Sequence, residues 1–94
     1  MHGLMMDSPL LITEIMRFAE RNFADREVVS VTFDNPRHRT SFGEVFRRAR
    51  KLATALHAAG VKQGDRVATL AWNGYRHLEL YYAVSCMGAV LHTV

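Results

Sequence analysis

Arg66-Val67-Ala68-Thr69-Leu70-Ala71-Trp72, then Asn73 to Gly88, then Ala89-Val90-Leu91-His92-Thr93-Val94, is the stretch that decides the fold. The first block is an almost continuous apolar run, the pattern of a strand covered on both faces of a parallel sheet and therefore central rather than at an edge. Asn73 can cap a helix from about Tyr75. That helix passes through Leu78, Tyr82 and Cys86 to Gly88 and is apolar over most of its second half, which predicts burial on several sides. A second apolar run follows at once, so residues 66–94 read as a β-α-β unit with parallel strands. A parallel strand is normally buried by the helices of the next crossover. The uncovered run at Ala89–Val94 therefore predicts either more chain or another molecule over it.

Upstream, Ser8-Pro9 is a helix-start signal, and Leu11, Ile15, Phe18 and Ala19 recur at helical spacing before Asn22-Phe23. The spacing predicts an amphipathic helix whose apolar face meets a core. Glu27 to Phe33 is rich in β-branched residues, Asp34-Asn35-Pro36 supplies turn chemistry, and His38-Arg39-Thr40 returns, which predicts a hairpin. Ser41-Phe42-Gly43-Glu44 matches the capping box, with the Ser side chain reaching forward and the Glu side chain reaching back. The helix it opens places Val45, Ala49, Leu52 and Leu56 on one face, with Phe46 and Ala53 beside them, and Gly60 closes it as a left-handed cap. The expected order is α-β-β-α-β-α-β, an α/β fold with an incomplete sheet.

The chain has 94 residues, 49% of them hydrophobic and 22% charged, with two prolines and six glycines, which excludes a low-complexity or disordered class. A single cysteine, Cys86, excludes a disulfide framework and a zinc-type cysteine pair and fits a reducing compartment. The opening Met1-His2-Gly3-Leu4-Met5-Met6-Asp7 lacks a basic leader, and the apolar run Leu80–Val94 is short and broken by glycine, so neither a secretory signal nor a membrane span is expected. The expected location is cytoplasmic.

The net charge is +3, and six of the twelve basic residues, Arg37, Arg39, Arg47, Arg48, Arg50 and Lys51, form one cluster. Such a cluster can follow a phosphate backbone, but without interleaved aromatics it reads as a solvated helix face, and no nucleic-acid partner is expected. No phosphate loop, dinucleotide fingerprint or nucleophile elbow is present, and Gly60 and Gly64 read as turn residues. His2, His38, His57, His77 and His92 lack metal-ligand spacing. His77-Leu78-Glu79 matches half of a deaminase signature whose Pro-Cys-x-x-Cys half is missing, and reads as an exposed helical pair. Cys86 reads as a small core residue. Ligands of open parallel sheets bind beyond the carboxyl ends of the strands, which singles out Trp72-Asn73-Gly74 and Thr93-Val94, although capping alone accounts for Asn73.

Gly60 to Ala68, Trp72 to Ala83 and Met87-Gly88-Ala89-Val90, extended back through Thr40-Ser41-Phe42 and Arg48 to Ala53 to the opening Met1–Leu11, resemble the N-terminal region of medium- and long-chain fatty-acyl-CoA synthetases. These are adenylate-forming, AMP-forming ligases. The resemblance implies that residues 1–94 are the N-terminal portion of an AMP-dependent synthetase/ligase domain, with no complete second domain. It implies that the parent enzyme turns ATP, a fatty acid and CoA into acyl-CoA, AMP and diphosphate through an acyl-adenylate, with Mg2+ assisting. The phosphate loop, the adenine- and ribose-binding motifs and the catalytic Lys of such enzymes lie downstream. The resemblance thus assigns no catalytic, cofactor-binding or metal-binding residue here, and the 94-residue chain is expected to be inactive alone. The remainder of the ligase chain is the implied partner, and a homodimer through Leu4, Met5 and Met6 is a further implied assembly. The rival expectation is a short non-catalytic interaction module that pairs through its exposed strand or basic helix.

Overall fold

The computed structural model describes residues 3–94 and follows the expected order of elements. Helix α1 spans Ile12–Phe23, strands β1 and β2 span Glu27–Ser30 and His38–Ser41, and α2 spans Phe42–Ala58. Strand β3 spans Arg66–Thr69, α3 spans Tyr75–Cys86 and β4 spans Val90–Thr93. The strands form two separate pairs. β1 and β2 are antiparallel with Val28 opposite Thr40, and β3 and β4 are parallel with Arg66 opposite Val90 and Thr69 opposite Thr93.

Local chemistry sets most boundaries. Ser41 Oγ accepts from the Glu44 backbone N–H at 3.2 Å, so α2 is capped from the side predicted. The return half of the capping box is absent, because the Glu44 carboxylate is taken by Arg47, whose Nε donates at 2.8 Å. Helices α2 and α3 end with the same device. Val61 N–H bonds Leu56 O and Gly60 N–H bonds His57 O behind α2, while Ala89 N–H bonds Val84 O and Gly88 N–H bonds Ser85 O behind α3. Each is a Schellman ending, and it requires the left-handed residue that Gly60 (φ 103°) and Gly88 (φ 86°) supply. The second ending is tight: a Cβ on Gly88 would lie 3.0 Å from Gln63 Cγ.

Four expectations change at the level of boundaries. Ser8-Pro9 does not start α1, which begins at Ile12 behind an extended Leu11 that offers no side-chain cap. Proline disfavours helical backbone in the residue before it, so Ser8-Pro9 acts as an extended lead-in. β1 ends at Ser30 rather than Phe33. Thr32 leaves the ladder because its Oγ1 donates to Asp34 Oδ1 at 2.8 Å and accepts from Asn35 N–H at 3.0 Å, closing the turn early. β3 ends at Thr69 rather than Trp72. Asn73 does not cap α3: the cap position is Gly74, with no side-chain bond, and Leu78 N–H donates to its carbonyl at 3.0 Å.

The core is the junction of the three helices with the inner face of the hairpin. Met16, Val45 and Phe46 are buried there, and Ala19, Val28, Phe42, Leu78, Tyr82 and Cys86 pack around them. Phe46 meets Tyr82 edge-on at a centroid distance of 5.0 Å and stacks on Phe42 at 5.7 Å. Cys86 is half-buried at the edge of this cluster, with its Sγ 3.7 Å from Met16 Sδ, the small packed residue expected.

Burial departs further from expectation. On α1 the residue that enters the core is Met16, with Ala19 beside it, whereas Leu11, Ile15 and Phe18 are about half exposed or more. Their stripe points away from α2, and the helix carries apolar residues on two sides. β3 is covered on one face only. Thr69 is buried and Val67 half-buried toward α3, while Arg66 and Ala68 are exposed and Leu70 and Trp72 stand out beyond the strand at 86% and 95%. β3 pairs with β4 alone, so within these residues it is an edge strand and not a central one.

Candidate functional site

The carboxyl ends of β3 and β4 meet the first turn of α3, and there the structure gathers most of the residues singled out by topology. Asn73, Gly74 and Thr93 line one cleft of about 620 Å³ together with His77, Leu78 and, from β1, Ser30. Trp72 lies outside it, on an adjoining groove with Phe33 and Val31, and Val94 is exposed. Asn73 is free of the capping role expected of it, and its side chain is exposed at the cleft.

Inside the cleft wall, His77 Nε2 lies 3.0 Å from the hydroxyl of Thr69, which is buried at the end of β3. A hydroxyl and an imidazole at this distance can exchange a proton, but a nucleophile–base pair also needs a group that orients the imidazole. No such group is bonded to His77 among the described residues. One turn away the His38 ring stacks on Tyr75 at 3.7 Å and 9°, with the Arg76 guanidinium 5.1 Å from the Tyr75 centroid. The His38 Nδ1 is buried there without a hydrogen-bond partner. Asp34 sits near this stack. Its carboxyl is held below the usual range by the Thr32 hydroxyl first, then by a backbone N–H, with Arg76 and His38 adding positive field.

The pair His77-Leu78-Glu79 is not the exposed one expected. Glu79 is 5% exposed, and its carboxylate accepts from Arg48 Nε of α2 at 2.6 Å. That bond raises the affinity of Arg48 for its proton further. The signal was in the spacing. Tyr75, Glu79 and Ala83 fall four apart on one helical stripe, and all three are buried, so a carboxylate in that stripe demands a cation from the facing element.

The basic cluster is largely neutralised within the fold. Arg39 pairs with Glu27, Arg47 with Glu44, Arg48 with Glu79 and Arg50 with Glu20. Four of the six cations of the cluster are thus paired with carboxylates within the fold. Glu20 and Glu44 both titrate below the normal carboxylate range because an arginine donates to them.

A nucleotide cradle needs backbone N–H groups left free in a glycine-rich turn. The three glycines with positive φ do not offer them. Gly60 and Gly88 donate to His57 O and Ser85 O within their own caps, and Gly64 N–H donates to Gly88 O at 2.9 Å. No group of three His, Cys, Asp or Glu side chains is placed to hold a metal among the described residues, and His2 lies outside them. The glycine amides that such a cradle would use are thus engaged within the fold.

The profile of the AMP-binding enzymes matches residues 16–94. The chain belongs to this family. Its match to the family is broad but short. The chain is 51% identical over 89 residues to the long-chain-fatty-acid–CoA ligase of Thermus thermophilus, covering 95% of this chain and 16% of that protein. It is 46% identical over 94 residues to the 3-methylmercaptopropionyl-CoA ligase of Ruegeria lacuscaerulensis, covering 100% of this chain and 17% of that one. The AMP-binding fold is equally plain. The inhibitor-bound N-terminal domain of FACL13 from Mycobacterium tuberculosis superposes with a TM-score of 0.78 at 26% identity, over 89% of this chain and 21% of that domain. The chain thus spans about a sixth of the length of the curated relatives it matches. None of the described helices is long and apolar enough to cross a membrane.

Proposed function

We propose that residues 1–94 form the N-terminal portion of an AMP-dependent synthetase/ligase domain, without a complete second domain, in a protein that joins a fatty acid to CoA. That protein converts ATP, fatty acid and CoA into acyl-CoA, AMP and diphosphate, with Mg2+ as its metal. The observation that carries this reading is the 51% identity to a long-chain-fatty-acid–CoA ligase, sustained over 95% of the chain. The role of these residues in that protein is scaffold. The engaged glycine amides and paired carboxylates described above support the view that no catalytic, cofactor-binding or metal-binding residue lies among them.

The same reading makes the rest of the ligase chain the partner of these residues and the cytoplasm their location. A homodimer is the accompanying assembly, supported by the full exposure of Leu4 and the exposure of Met5 and Met6 ahead of α1. The 46% identity to a 3-methylmercaptopropionyl-CoA ligase favours one second reading, in which the acid is short and sulfur-containing.

The test is ATP- and CoA-dependent thioester formation, assayed on the full-length protein that carries these residues and on the 94-residue chain alone. Full-length protein is expected to turn over a long-chain fatty acid faster than 3-methylmercaptopropionate, and the short chain to turn over neither. Thioester made by the short chain overturns the scaffold role. Full-length protein idle on both acids overturns the ligase reading, and the reverse preference installs the second one.

A further inference from the structure

The two strand pairs face each other across α3, and their facing edges carry unspent backbone hydrogen bonds. Phe42 N–H donates to Arg26 O at 3.0 Å, which sets the phase of the hairpin. In an antiparallel pair residues alternate between bonding the partner and pointing away, so Val28 and Ser30 bond β2 while Val29 and Val31 present their N–H and C=O groups to the other side. The parallel pair is phased by Val90 N–H to Asp65 O at 2.7 Å and Val94 N–H to Thr69 O at 2.9 Å. Val90, His92 and Val94 therefore bond β3, and Leu91 and Thr93 present their backbone groups outward. Val29, Val31, Leu91 and Thr93 all line the same cleft of about 620 Å³, floored by His77, Leu78 and Tyr81 of α3.

We propose that this cleft is a gap in one larger sheet, with β1 and β4 as its two banks, and that an extended segment of the same polypeptide outside residues 1–94 fills it. The inference rests on the reading that these residues belong to a longer ligase, and it names the contact through which the rest of that chain docks. Unpaired edges recognise another strand by main-chain hydrogen bonds, with side-chain pockets setting the register. The floor suits such a strand. Leu78 and Tyr81 make the floor largely apolar beside His77, so the inserted strand is expected to turn mainly apolar side chains toward α3, while its backbone is satisfied on both sides. The length of chain available favours this occupant over a second copy, because relatives that match across the whole of this chain are about six times as long.

The experiment is hydrogen exchange at single-residue resolution on the full-length polypeptide, with acyl-CoA formation assayed on the same sample. The amides of Val29, Val31, Leu91 and Thr93 are expected to exchange at least about 100-fold more slowly than unprotected amides, on the scale of a bonded strand. The amides of Val28, Ser30, Val90 and His92, bonded within this chain, report that the local fold is intact. Rapid exchange at the first four beside protected neighbours overturns the proposal. Protection that disappears on dilution to monomer also overturns it, since the occupant is then a second copy. Protection in a sample that makes no thioester leaves the filled gap standing and sinks only the ligase reading.

Discussion

Replacing Arg48 by Met removes the partner of the most buried charge in the described fold. Glu79 has a side chain 6% exposed, and its carboxylate receives Arg48 Nε at 2.6 Å, whereas the Arg48 side chain is 46% exposed. Breaking a fully buried pair by deleting one partner costs about 3–5 kcal/mol, because the survivor is left charged and dry. Here the half-exposed arginine end admits water, so the cost is scaled to about 1.5–3 kcal/mol, the range of a hydrogen bond to a charged group. With a urea m-value of about 1.5 kcal/mol/M, the midpoint of unfolding should fall by about 1–2 M. Equilibrium urea titration followed by far-UV circular dichroism measures it. The double variant R48M/E79L should recover most of the loss, since an apolar pair of similar size satisfies the same contact without a stranded charge. A midpoint shift below about 0.3 M for R48M, or a double variant no more stable than the single, refutes the claim that the buried Glu79 carboxylate depends on the Arg48 hydrogen bond across α2 and α3.

Capping supplies a paired test: S41A should cost about 0.5–2 kcal/mol in the same titration, while N73A should stay within about 0.5 kcal/mol, because only Ser41 bonds an orphan amide. Equal losses at both positions would contradict the assignment of Gly74 as the cap of α3. Alanine at Gly60 or Gly88 should destabilise by about 1 kcal/mol through positive φ, and G88A by more than G60A, because only at Gly88 does the added carbon meet Gln63 at 3.0 Å. Thermal midpoints of the two variants decide the order. Glu20 is kept below the ordinary carboxylate range by the Arg50 hydrogen bond, so its contribution is present above its unfolded-state pKa and is lost as pH falls through its folded one. E20Q should therefore unfold about 0.5 kcal/mol more easily than the parent near neutrality, a figure discounted for exposure, with the gap closing in acid; a difference independent of pH removes the ion pair as its cause.

The order of elements was legible because punctuation here is local. Glycine at 60 and 88, the serine at 41 and the runs of β-branched residues act within a few positions of themselves, and the structure keeps each in its expected element. At the end of β1 the boundary moved because the Thr32 side chain competes locally with the ladder. The four-residue spacing of Tyr75, Glu79 and Ala83 signals the burial of Glu79, but not that Arg48 is its partner, because the two are 31 positions apart. The gathering of Asn73, Gly74 and Thr93 at one cleft followed from topology, since parallel strands bring their carboxyl ends to the same side. The identity of the α3 cap did not follow, because Asn73 and Gly74 are both acceptable caps and only the backbone path chooses between them.

Apolar patterning tells which residues are meant to leave water, not which neighbour removes them. Ile15 and Phe18 on α1, Leu70 and Trp72 beyond β3, and Val31 and Phe33 beyond β1 follow the patterns of buried faces, yet all are more than half exposed. These positions are not scattered. They lie on the side of α1 turned from α2 and along the run-outs of two strands whose backbone edges are open. A fold of 94 residues that satisfied all of its own pattern would show no such coincidence of apolar side chains with unpaired edges. The matched relatives carry about six times this length, which accords with the proposal that further chain of such a protein packs on this surface. The strand gap between β1 and β4 is the place where that packing can be checked amide by amide.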